Sequence, residues 1–357
     1  MSLNFWKNKK VFLTGHTGFK GSWLSLWLIK LYNVKLTGYA LAPSTKPNLF
    51  ETLNIKSDMN SIIGDVRDLL FLQKAIIETK PDIIIHMAAQ SLVRYSYSNP
   101  VETYGTNVMG TVNILEAARK CKNVRAILNI TSDKCYENKE TDLSYKEEES
   151  MGGFDPYSSS KGCAELISSA YRNSYFNINK YKEHGVSLAT ARAGNVIGGG
   201  DWAEDRLIPD FIRAIEKKEK LIIRNPKATR PWQHVLDLTQ GYLMLCQKLY
   251  EEGEKFSESF NFGPDDKDVK NVQWIVEYLV KTWGDNVCYE INKNNQFLHE
   301  AHFLKLDSTK AYKKLSWSPK LNINSGLDKI CAWHKAKIAN ENMNKYCITE
   351  IENYISL

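Results

Sequence analysis

The sequence predicts an α/β protein in which a doubly wound parallel sheet is followed by a smaller C-terminal lobe. Short apolar runs alternate with amphipathic segments of helical period through the first half of the chain. A glycine-rich turn directly follows the first apolar run and opens the first long helix. Because strands that alternate with helices are joined by crossover connections, they pair in parallel and carry helices on both faces of the sheet.

The predicted elements of the first half follow one another in regular order. Residues 81–89 are apolar enough for a strand that is buried on both faces. Pro156 fits the first turn of a long helix, where its missing N–H costs nothing. We predict strands at residues 10–15, 34–41, 61–66, 81–89, 124–132 and 185–198, and helices at residues 20–32, 69–80, 101–121 and 155–177.

The latter half has a looser pattern. After residue 198 we predict four helices and one strand, at residues 258–264, that returns to the sheet. The four helices are expected at residues 208–221, 233–252, 269–284 and 324–343.

The bulk composition is that of a soluble globular protein. The 357 residues are 43% apolar and 25% charged, and the net charge of +6 is not concentrated in a long basic block, so nucleic acid is not an expected partner. The seven cysteines lack CxxC spacing, which argues against a disulfide framework or a zinc site and for a reducing compartment. Neither a secretory start nor an apolar run of roughly 20 residues is visible, so we expect a cytoplasmic protein with no membrane partner and no metal.

Residues 15–21 form the motif GxxGxxG between a predicted strand and a predicted helix. Glycines allow a tight turn and let the backbone approach a pyrophosphate, while the helix N-terminus supplies free N–H groups. The motif therefore predicts a Rossmann-type dinucleotide site. Its cofactor-binding candidates are Gly15, Thr17, Gly18, Phe19 and Gly21.

The ends of the next strands leave the choice of dinucleotide open. The second strand ends "GYALAPSTK", without the acidic residue that holds an adenosine ribose in NAD sites, and only Lys46 is near to favour a 2′-phosphate. Asp65, followed by Val66, ends the third strand, where its carboxylate could bind adenine or cap the next helix. At the end of the fourth strand, Ala88, Ala89 and Gln90 are cofactor candidates because the alanines let a ligand lie against the backbone. His86 is interpreted as a core residue.

Tyr157 and Lys161 are four residues apart on one helix and so share a face. A phenol is a poor base near neutral pH, and a nearby ammonium is expected to lower its pKa. Such a tyrosine can take a proton from a sugar hydroxyl while hydride leaves the same carbon.

The glycine turn, "TSDKCY" at residues 131–136 and "YSSSK" at residues 157–161 together resemble the extended short-chain dehydrogenase/reductase family that acts on nucleotide-sugars. The resemblance runs from Lys10 to about Pro319, and "GHTGFKGSWLSLWL", "SDKCYEN", "AGNVIGGGDW" and "RPWQHVLD" are similar to segments of its 4,6-dehydratases. It implies NAD as the cofactor, held by a Rossmann domain at residues 1–190 that is completed by about 233–264. It also implies a substrate-binding lobe at residues 191–232 and 265–357.

A 4,6-dehydratase oxidises C4 of the hexose, removes the C5 proton, expels the C6 hydroxyl as water and returns the hydride to C6. The resemblance assigns Ser132 to the C4 oxygen and Asp133 to protonation of the leaving hydroxyl. Lys134 stands where related dehydratases carry a glutamate base, so we expect it to be the C5 base, with a polarising role as the alternative. Asp133 needs a raised pKa for its role, and Lys134 a lowered one.

The substrate-binding candidates follow the sixth strand and the "RPW" segment. Arginine matches the geometry of a diphosphate with its two-pronged donors. Asp237 is expected to cap the following helix, whereas Trp202 and Trp232 either stack on a base or pack the lobe. The residues assigned to the nucleotide-sugar are Arg192, Asn195, Arg224, Arg230 and His234.

Other functions stay open on the residues alone. A nucleotide-sugar 4-epimerase needs Tyr157 and Lys161 but no acid at position 133, and a 4,6-dehydratase for a dTDP- or GDP-sugar would share the whole pattern. A noncatalytic NAD-binding protein is disfavoured because the tyrosine, the lysine and the glycines are all present. The family also pairs helices 101–121 and 156–176 across a two-fold axis, which implies a homodimer or a dimer of dimers.

Overall fold

A computed structural model of the chain describes residues 3–284, 287–292 and 303–357. Its strands are β1 (Lys10–Thr14), β2 (Lys35–Ala40), β3 (Asn60–Ile63), β4 (Ile83–His86), β5 (Ala126–Ile130), β6 (Ser187–Ala193), β7 (Val196–Ile197), β8 (Leu221–Ile223), β9 (Thr229–Arg230), β10 (Gln233–His234), β11 (Ser259–Phe262), β12 (Lys270–Asn271) and β13 (Tyr289–Ile291).

The helices surround these strands, and two short π-helical segments, Trp27–Leu31 and Gly105–Met109, continue α2 and join α6 to α7. The helices are α1 (Leu3–Trp6), α2 (Phe19–Leu26), α3 (Leu49–Leu53), α4 (Leu69–Thr79), α5 (Val93–Ser98), α6 (Pro100–Tyr104), α7 (Gly110–Arg119), α8 (Pro156–Ser174), α9 (Tyr181–His184), α10 (Leu207–Lys217), α11 (Val235–Phe256), α12 (Val272–Trp283), α13 (Thr309–Leu315), α14 (Ile323–Ile338) and α15 (Met343–Ser356).

The predicted doubly wound sheet is confirmed. Seven parallel strands lie in the order β11-β6-β5-β4-β1-β2-β3, and the late strand β11 pairs with β6 as expected. The sequence did not predict the C-terminal helix α15 or the short pairs β7–β10, β8–β13 and β9–β12. Two- or three-residue strands carry too little periodicity to be detected.

Alternate residues of the central strands enter two different cores. Val11, Leu13, Ile83 and Ile85 pack with α2 and α11 on one face of the sheet. On the other face, residues such as Ile84 pack with α4 and α7. All three isoleucines of β4 are fully buried, which confirms the prediction for this strand, and burial of each such side chain contributes about 1.5–3 kcal/mol.

The lobe has an apolar core of its own, formed by α10, α12 and α14 around Phe211, Ile275 and Ile330. Helix α15, in contrast, packs in the core of the sheet domain through Cys347, Ile351 and other residues. The predicted domain limits stay a prediction, and residues 285–286 and 293–302 of the proposed lobe lie outside the described residues. Over the described part of the chain, no helix has both the length and the apolar character needed to cross a membrane.

Candidate active site

A cleft of about 540 Å³ opens at the carboxyl-terminal edge of the sheet and extends to the lobe. The ends of β1 to β6 line one side of it, and residues from α10, β8 and the segment around Trp232 line the other. In open α/β sheets, ligands bind outside the carboxyl ends of the strands. The topology therefore places the candidate site where the sequence predicts it.

The glycine turn is built for close backbone approach. Gly15 has a φ of +78°, and a Cβ there would lie 2.9 Å from the backbone nitrogen of Ala88. A Cβ on Gly21 would lie 2.1 Å from the carbonyl oxygen of Gly15. Gly18 is the N-cap of α2, and it lines the cleft together with the first residues of the helix, whose N–H groups have no partner within the helix. These features fit the pyrophosphate of a dinucleotide. Thr17 and Phe19 also line the cleft.

Asp65 and Asp68, the two acidic residues that follow β3, have separate roles. Asp65 lines the cleft beside Val66 and forms an ion pair with Arg67, with 2.6 Å between Nη2 and Oδ2. Hydrogen bonding from Arg67 lowers the pKa of Asp65. The alternative that Asp65 caps the next helix is wrong, because Asp68 caps α4 by accepting a hydrogen bond from the N–H of Phe71 at 3.0 Å.

The residues after β4 divide between the cleft and the interior. Ala88 and Ala89 line the cleft, as predicted. The prediction that Gln90 lies against the cofactor is corrected. Among the described residues Gln90 does not line the cleft, and its amide nitrogen donates to the carbonyl oxygen of Leu92 and to the hydroxyl of Thr103. His86 is a buried core residue, as interpreted, with 2.7 Å between its Nδ1 and Oγ1 of Thr14.

Tyr157 and Lys161 lie one turn apart on α8, and both are buried residues that line the cleft. The expectation that the tyrosine has a lowered pKa is wrong for this structure. Burial raises the pKa of Tyr157 to about 12, and this effect outweighs the hydroxyl of Ser132 and the charge of Arg206, which favour the phenolate. Burial also lowers the pKa of Lys161 to about 8.

Asp133 is buried beside Ser132, whose hydroxyl donates to Oδ1 at 3.0 Å. Its Oδ2 has no hydrogen-bond partner among the described residues. Burial raises the pKa of this carboxyl, which is the direction that a general acid requires. Lys134, which is partly buried, lines the cleft next to it, and the charge of Lys134 favours the ionised form of Asp133.

Three of the predicted substrate-binding residues reach the cleft, namely Asn195, Arg224 and Arg230. Arg224 donates to Asp205 at 2.7 Å. Arg230 is buried and lies close enough to Asp133 for its charge to favour the ionised carboxylate.

The predictions that Arg192 and His234 bind the nucleotide-sugar are corrected, because neither residue is among the described residues that line the cleft. Arg192 still belongs to β6, and its side chain lies in the interior, where it donates to Glu165 on α8 at 2.8 Å. His234 is buried and caps α11 by accepting from the N–H of Leu236 at 3.3 Å. The prediction that Asp237 caps this helix is therefore wrong. Its carboxylate instead accepts a hydrogen bond from the N–H of Lys320 at 2.7 Å.

The two tryptophans behave differently. Trp232 lines the cleft and donates from Nε1 to the carbonyl oxygen of Lys270 at 2.9 Å. Trp202 packs against Trp333, with 5.7 Å between the ring centroids, and so serves the core.

Sequence reasoning missed several charged or polar residues of the cleft. Arg206 donates to Oδ2 of Asp201 and to the hydroxyl of Ser91, each at 2.9 Å. Lys20 lines the cleft from within the glycine motif itself. The signal for Lys20 in the sequence was a charged residue in a segment whose other residues are mostly small or apolar. Arg206 gave no such signal, because its loop has no periodicity.

Comparison with known proteins agrees with this geometry. A family model described as GDP-mannose 4,6 dehydratase matches residues 12–330. A CDP-glucose 4,6-dehydratase of Salmonella typhimurium is 54% identical over 353 residues, which cover 99% of this chain and 98% of that protein. A human dTDP-D-glucose 4,6-dehydratase is 25% identical, with 93% of this chain and 91% of that protein covered.

Solved structures share the fold. A dTDP-glucose 4,6-dehydratase of Bacillus anthracis in complex with NAD matches with a TM-score of 0.76 and 22% identity, covering 93% of this chain and 98% of that one. A UDP-glucose 4-epimerase of Thermotoga maritima matches with a TM-score of 0.77 and 21% identity, covering 92% of this chain and 99% of that one. Since the family model spans most of the sequence and one relative exceeds half identity over nearly the whole length, the chain belongs to the GDP-mannose 4,6 dehydratase family.

Proposed function

We propose that this protein is an NAD-dependent hydro-lyase that converts CDP-glucose to its 4-keto-6-deoxy form by internal hydride transfer from C4 to C6. One observation carries the reaction type: a buried carboxyl with a raised pKa, Asp133, shares a cleft with Tyr157 and Lys161. A 4-epimerase needs the tyrosine and lysine but no proton donor at C6. The nucleobase rests on the 54% identical relative that is named for CDP-glucose.

The residues of the cleft fit an NAD molecule. The glycine turn would hold the pyrophosphate, Asp65 and Val66 the adenosine, Ala88 and Ala89 the body of the cofactor, and Lys161 the nicotinamide ribose. When bound, NAD would supply a positively charged nicotinamide that accepts hydride from C4 and returns it to C6.

Tyr157 takes the proton of the C4 hydroxyl, and Ser132 hydrogen-bonds the C4 oxygen. Because burial opposes ionisation of the phenol, positive charges near Tyr157, such as that of Arg206, are needed to favour its phenolate. Oxidation at C4 acidifies the C5 proton, which a lysine amine removes. The sequence assigns this role to Lys134, with polarisation as its alternative. Asp133 then protonates the departing C6 hydroxyl.

Arg224, Arg230 and Asn195 are the proposed ligands of the nucleotide diphosphate. Both guanidinium groups lie on the lobe side of the cleft, where they offer paired donors to phosphate oxygens. Arg224 would exchange its contact with Asp205 for the diphosphate.

The direct test is incubation of the protein and NAD with CDP-, dTDP-, UDP- and GDP-glucose in deuterated water. We expect CDP-glucose alone to lose one water, by mass spectrometry, and to gain deuterium at C5. Tyr157→Phe is the matched inactive control. A product of unchanged mass would instead identify an epimerase, and no product from any sugar would support a binding protein.

We also propose a cytoplasmic homodimer or dimer of dimers. The helices expected to pair between subunits carry exposed apolar side chains, including Val101 at 86% and Leu166 at 60% exposure. Such exposure is typical of protein interaction surfaces. Light scattering that gives a monomer at micromolar concentration would contradict this assembly.

A further inference from the structure

Gly194 directly follows β6 and lines the cleft. A Cβ at this position would lie 2.9 Å from Oδ2 of Asp133 and 2.4 Å from Cγ of Pro231. Real Cβ atoms essentially never come within 3.0 Å of such neighbours. Asp133 and Pro231 therefore occupy the space that a side chain at position 194 would need.

The pairing of the surrounding strands brings these three residues together. β5 pairs with β6 in parallel, so Asp133 and Gly194, which follow these two strands, meet at the same edge of the sheet. On the other side of Gly194, the pair β7–β10 holds Pro231 in place through a hydrogen bond of 2.9 Å from the N–H of Gln233 to the carbonyl oxygen of Asn195. The close approach is thus set by paired backbone segments.

The two carboxyl oxygens of Asp133 have different neighbours. Oδ1 accepts a hydrogen bond from the hydroxyl of Ser132 at 3.0 Å. Oδ2 lies against Gly194 and is buried without a hydrogen-bond partner among the described residues. Pro231 has no N–H to offer it. Because hydrogen bonds to a carboxylate favour its ionised form, a contact without a donor helps to keep this carboxyl protonated, as its burial also does.

We propose that Gly194 is a positioning residue for the acid of the dehydration, because a residue without a side chain leaves Asp133 its place between Ser132 and the wall formed by Gly194 and Pro231; this inference rests on the proposed function. With one oxygen held by Ser132 and the other against Gly194, the carboxyl keeps a fixed orientation when the C6–O bond breaks. The C6 oxygen leaves as water with the proton of Asp133, and the carboxylate remains. In this role Gly194 acts through Asp133 and not on the hexose.

The alternative is that Gly194 leaves room for the hexose itself, since it lines the cleft. The two roles predict different losses. A methyl group that displaces the acid slows the loss of water and leaves hydride transfer from C4 intact, whereas one that displaces the hexose slows both steps and raises KM. Combination with Asp133→Asn separates the two roles, because residues that act as one unit do not have additive effects.

The test uses Gly194→Ala, Asp133→Asn and the double variant with both changes, each as full-length protein with NAD. Gly326→Ala is the matched glycine control, because its methyl group on α14 would meet nothing closer than 3.7 Å. The readouts are reduced nicotinamide after rapid mixing with CDP-glucose, loss of water by mass spectrometry, and KM. If Gly194→Ala does not fold, its combination with Pro231→Ala removes the Cγ that the methyl would meet and keeps the contact with Asp133.

We expect Gly194→Ala to lose water about 100-fold more slowly than wild type, which is the cost of misplacing a reacting group by about 1 Å. Reduced nicotinamide should form at a rate within about threefold of wild type and then persist, and KM should change by no more than about threefold. The double variant should lose water at the rate of Asp133→Asn alone. Gly326→Ala should match wild type in every readout.

Loss of water at the wild-type rate in Gly194→Ala would overturn the proposal. An equal slowing of oxidation and water loss would also overturn it, as would a further loss of about 100-fold when Gly194→Ala is added to Asp133→Asn, because both would place the effect of the methyl group on the hexose. The variant with Pro231→Ala is judged by the same outcomes. Failure of the proposed function itself is distinguishable, because wild-type protein would then release water from no nucleotide-sugar.

Discussion

Arg206 and Asp201 form an ion pair of 2.9 Å at the edge of the cleft, and both also act on Lys20. The charge of Arg206 disfavours the ammonium of Lys20 and favours the phenolate of Tyr157. The charge of Asp201 favours the ammonium. A single ion pair between β7 and α10 therefore influences the protonation of two cleft residues, one of which, Tyr157, is the base that the proposed reaction uses at the C4 hydroxyl.

The first prediction concerns the pH dependence of the wild-type enzyme. Since Asp133 must be protonated to act as the acid, and burial raises its pKa, kcat/KM should fall as the pH rises above that pKa, by roughly tenfold per pH unit. The fall should begin at a higher pH than the usual carboxyl value of about 3.9 would give, because this carboxyl is buried. A fall that begins where an ordinary aspartate ionises would contradict the acid role of Asp133.

The second prediction separates oxidation from elimination. Asp133→Asn keeps the size of the side chain but removes the acidic proton, so it should reduce water loss by about 10²–10⁴-fold while C4 oxidation continues. Rapid-mixing absorbance would then show reduced nicotinamide that persists. Asp205→Asn is the control, because it removes a carboxylate of the cleft rim without touching this step. Turnover by Asp133→Asn at the wild-type rate would exclude the acid role.

The fold was predictable because the signals for it are local and redundant. The runs around Phe12, Ile84 and Ile127 are apolar on both faces, and the structure buries these residues between two layers of helices. The C-terminal helix was missed because its buried positions, such as Cys347 and Tyr354, are separated by many polar residues. Its contacts with the sheet domain are tertiary and leave no periodic pattern in the sequence.

The site was only partly predictable, since residue type does not fix the direction of a side chain. Arg192 and Asn195 are three residues apart, yet Arg192 lies within β6 and binds Glu165, whereas Asn195 follows the strand and lines the cleft. The pKa of Tyr157 was predicted in the wrong direction because burial, which the sequence does not show, exceeds the effect of neighbouring charges.

The third prediction contrasts two glycines of the turn. Gly21→Ala should destabilise the protein by about 1–3 kcal/mol or more, because the new methyl would overlap the carbonyl oxygen of Gly15 at 2.1 Å. Gly18→Ala meets nothing closer than 3.5 Å, so it should cost less than about 1 kcal/mol. Denaturant unfolding measures both. Calorimetry should still show weaker NAD binding in Gly18→Ala, because the methyl lies where the backbone faces the pyrophosphate; equal stability losses would contradict this account.

The fourth prediction concerns the buried pair of Arg192 and Glu165. Glu165→Gln should destabilise folding by about 3–5 kcal/mol, because it leaves a buried guanidinium without its counter-ion. The KM for the nucleotide-sugar should stay near the wild-type value, since Arg192 does not line the cleft among the described residues. The double variant Glu165→Leu with Arg192→Met should recover much of the stability. A large rise in KM without a loss of stability would return Arg192 to the substrate site.

The last prediction uses Arg206 and Asp201 as a pair with opposite effects. Arg206→Gln removes a positive charge that lowers the pKa of Lys20 and favours the phenolate of Tyr157, so both pKa values should rise in the protein without bound NAD. Asp201→Asn removes a negative charge that raises the pKa of Lys20, so this pKa, measured by NMR of the lysine side chain in the same state, should fall.

Substitution of Arg119, an arginine on the surface at the end of α7, gives a matched control in which the pKa of Lys20 should equal that of the wild-type protein. The opposite signs are diagnostic, because a general disturbance of the loop that carries Asp201 and Arg206 would not move the pKa of Lys20 in two directions. Shifts of the same sign would mean that the charges of Arg206 and Asp201 do not act on Lys20 in the way described.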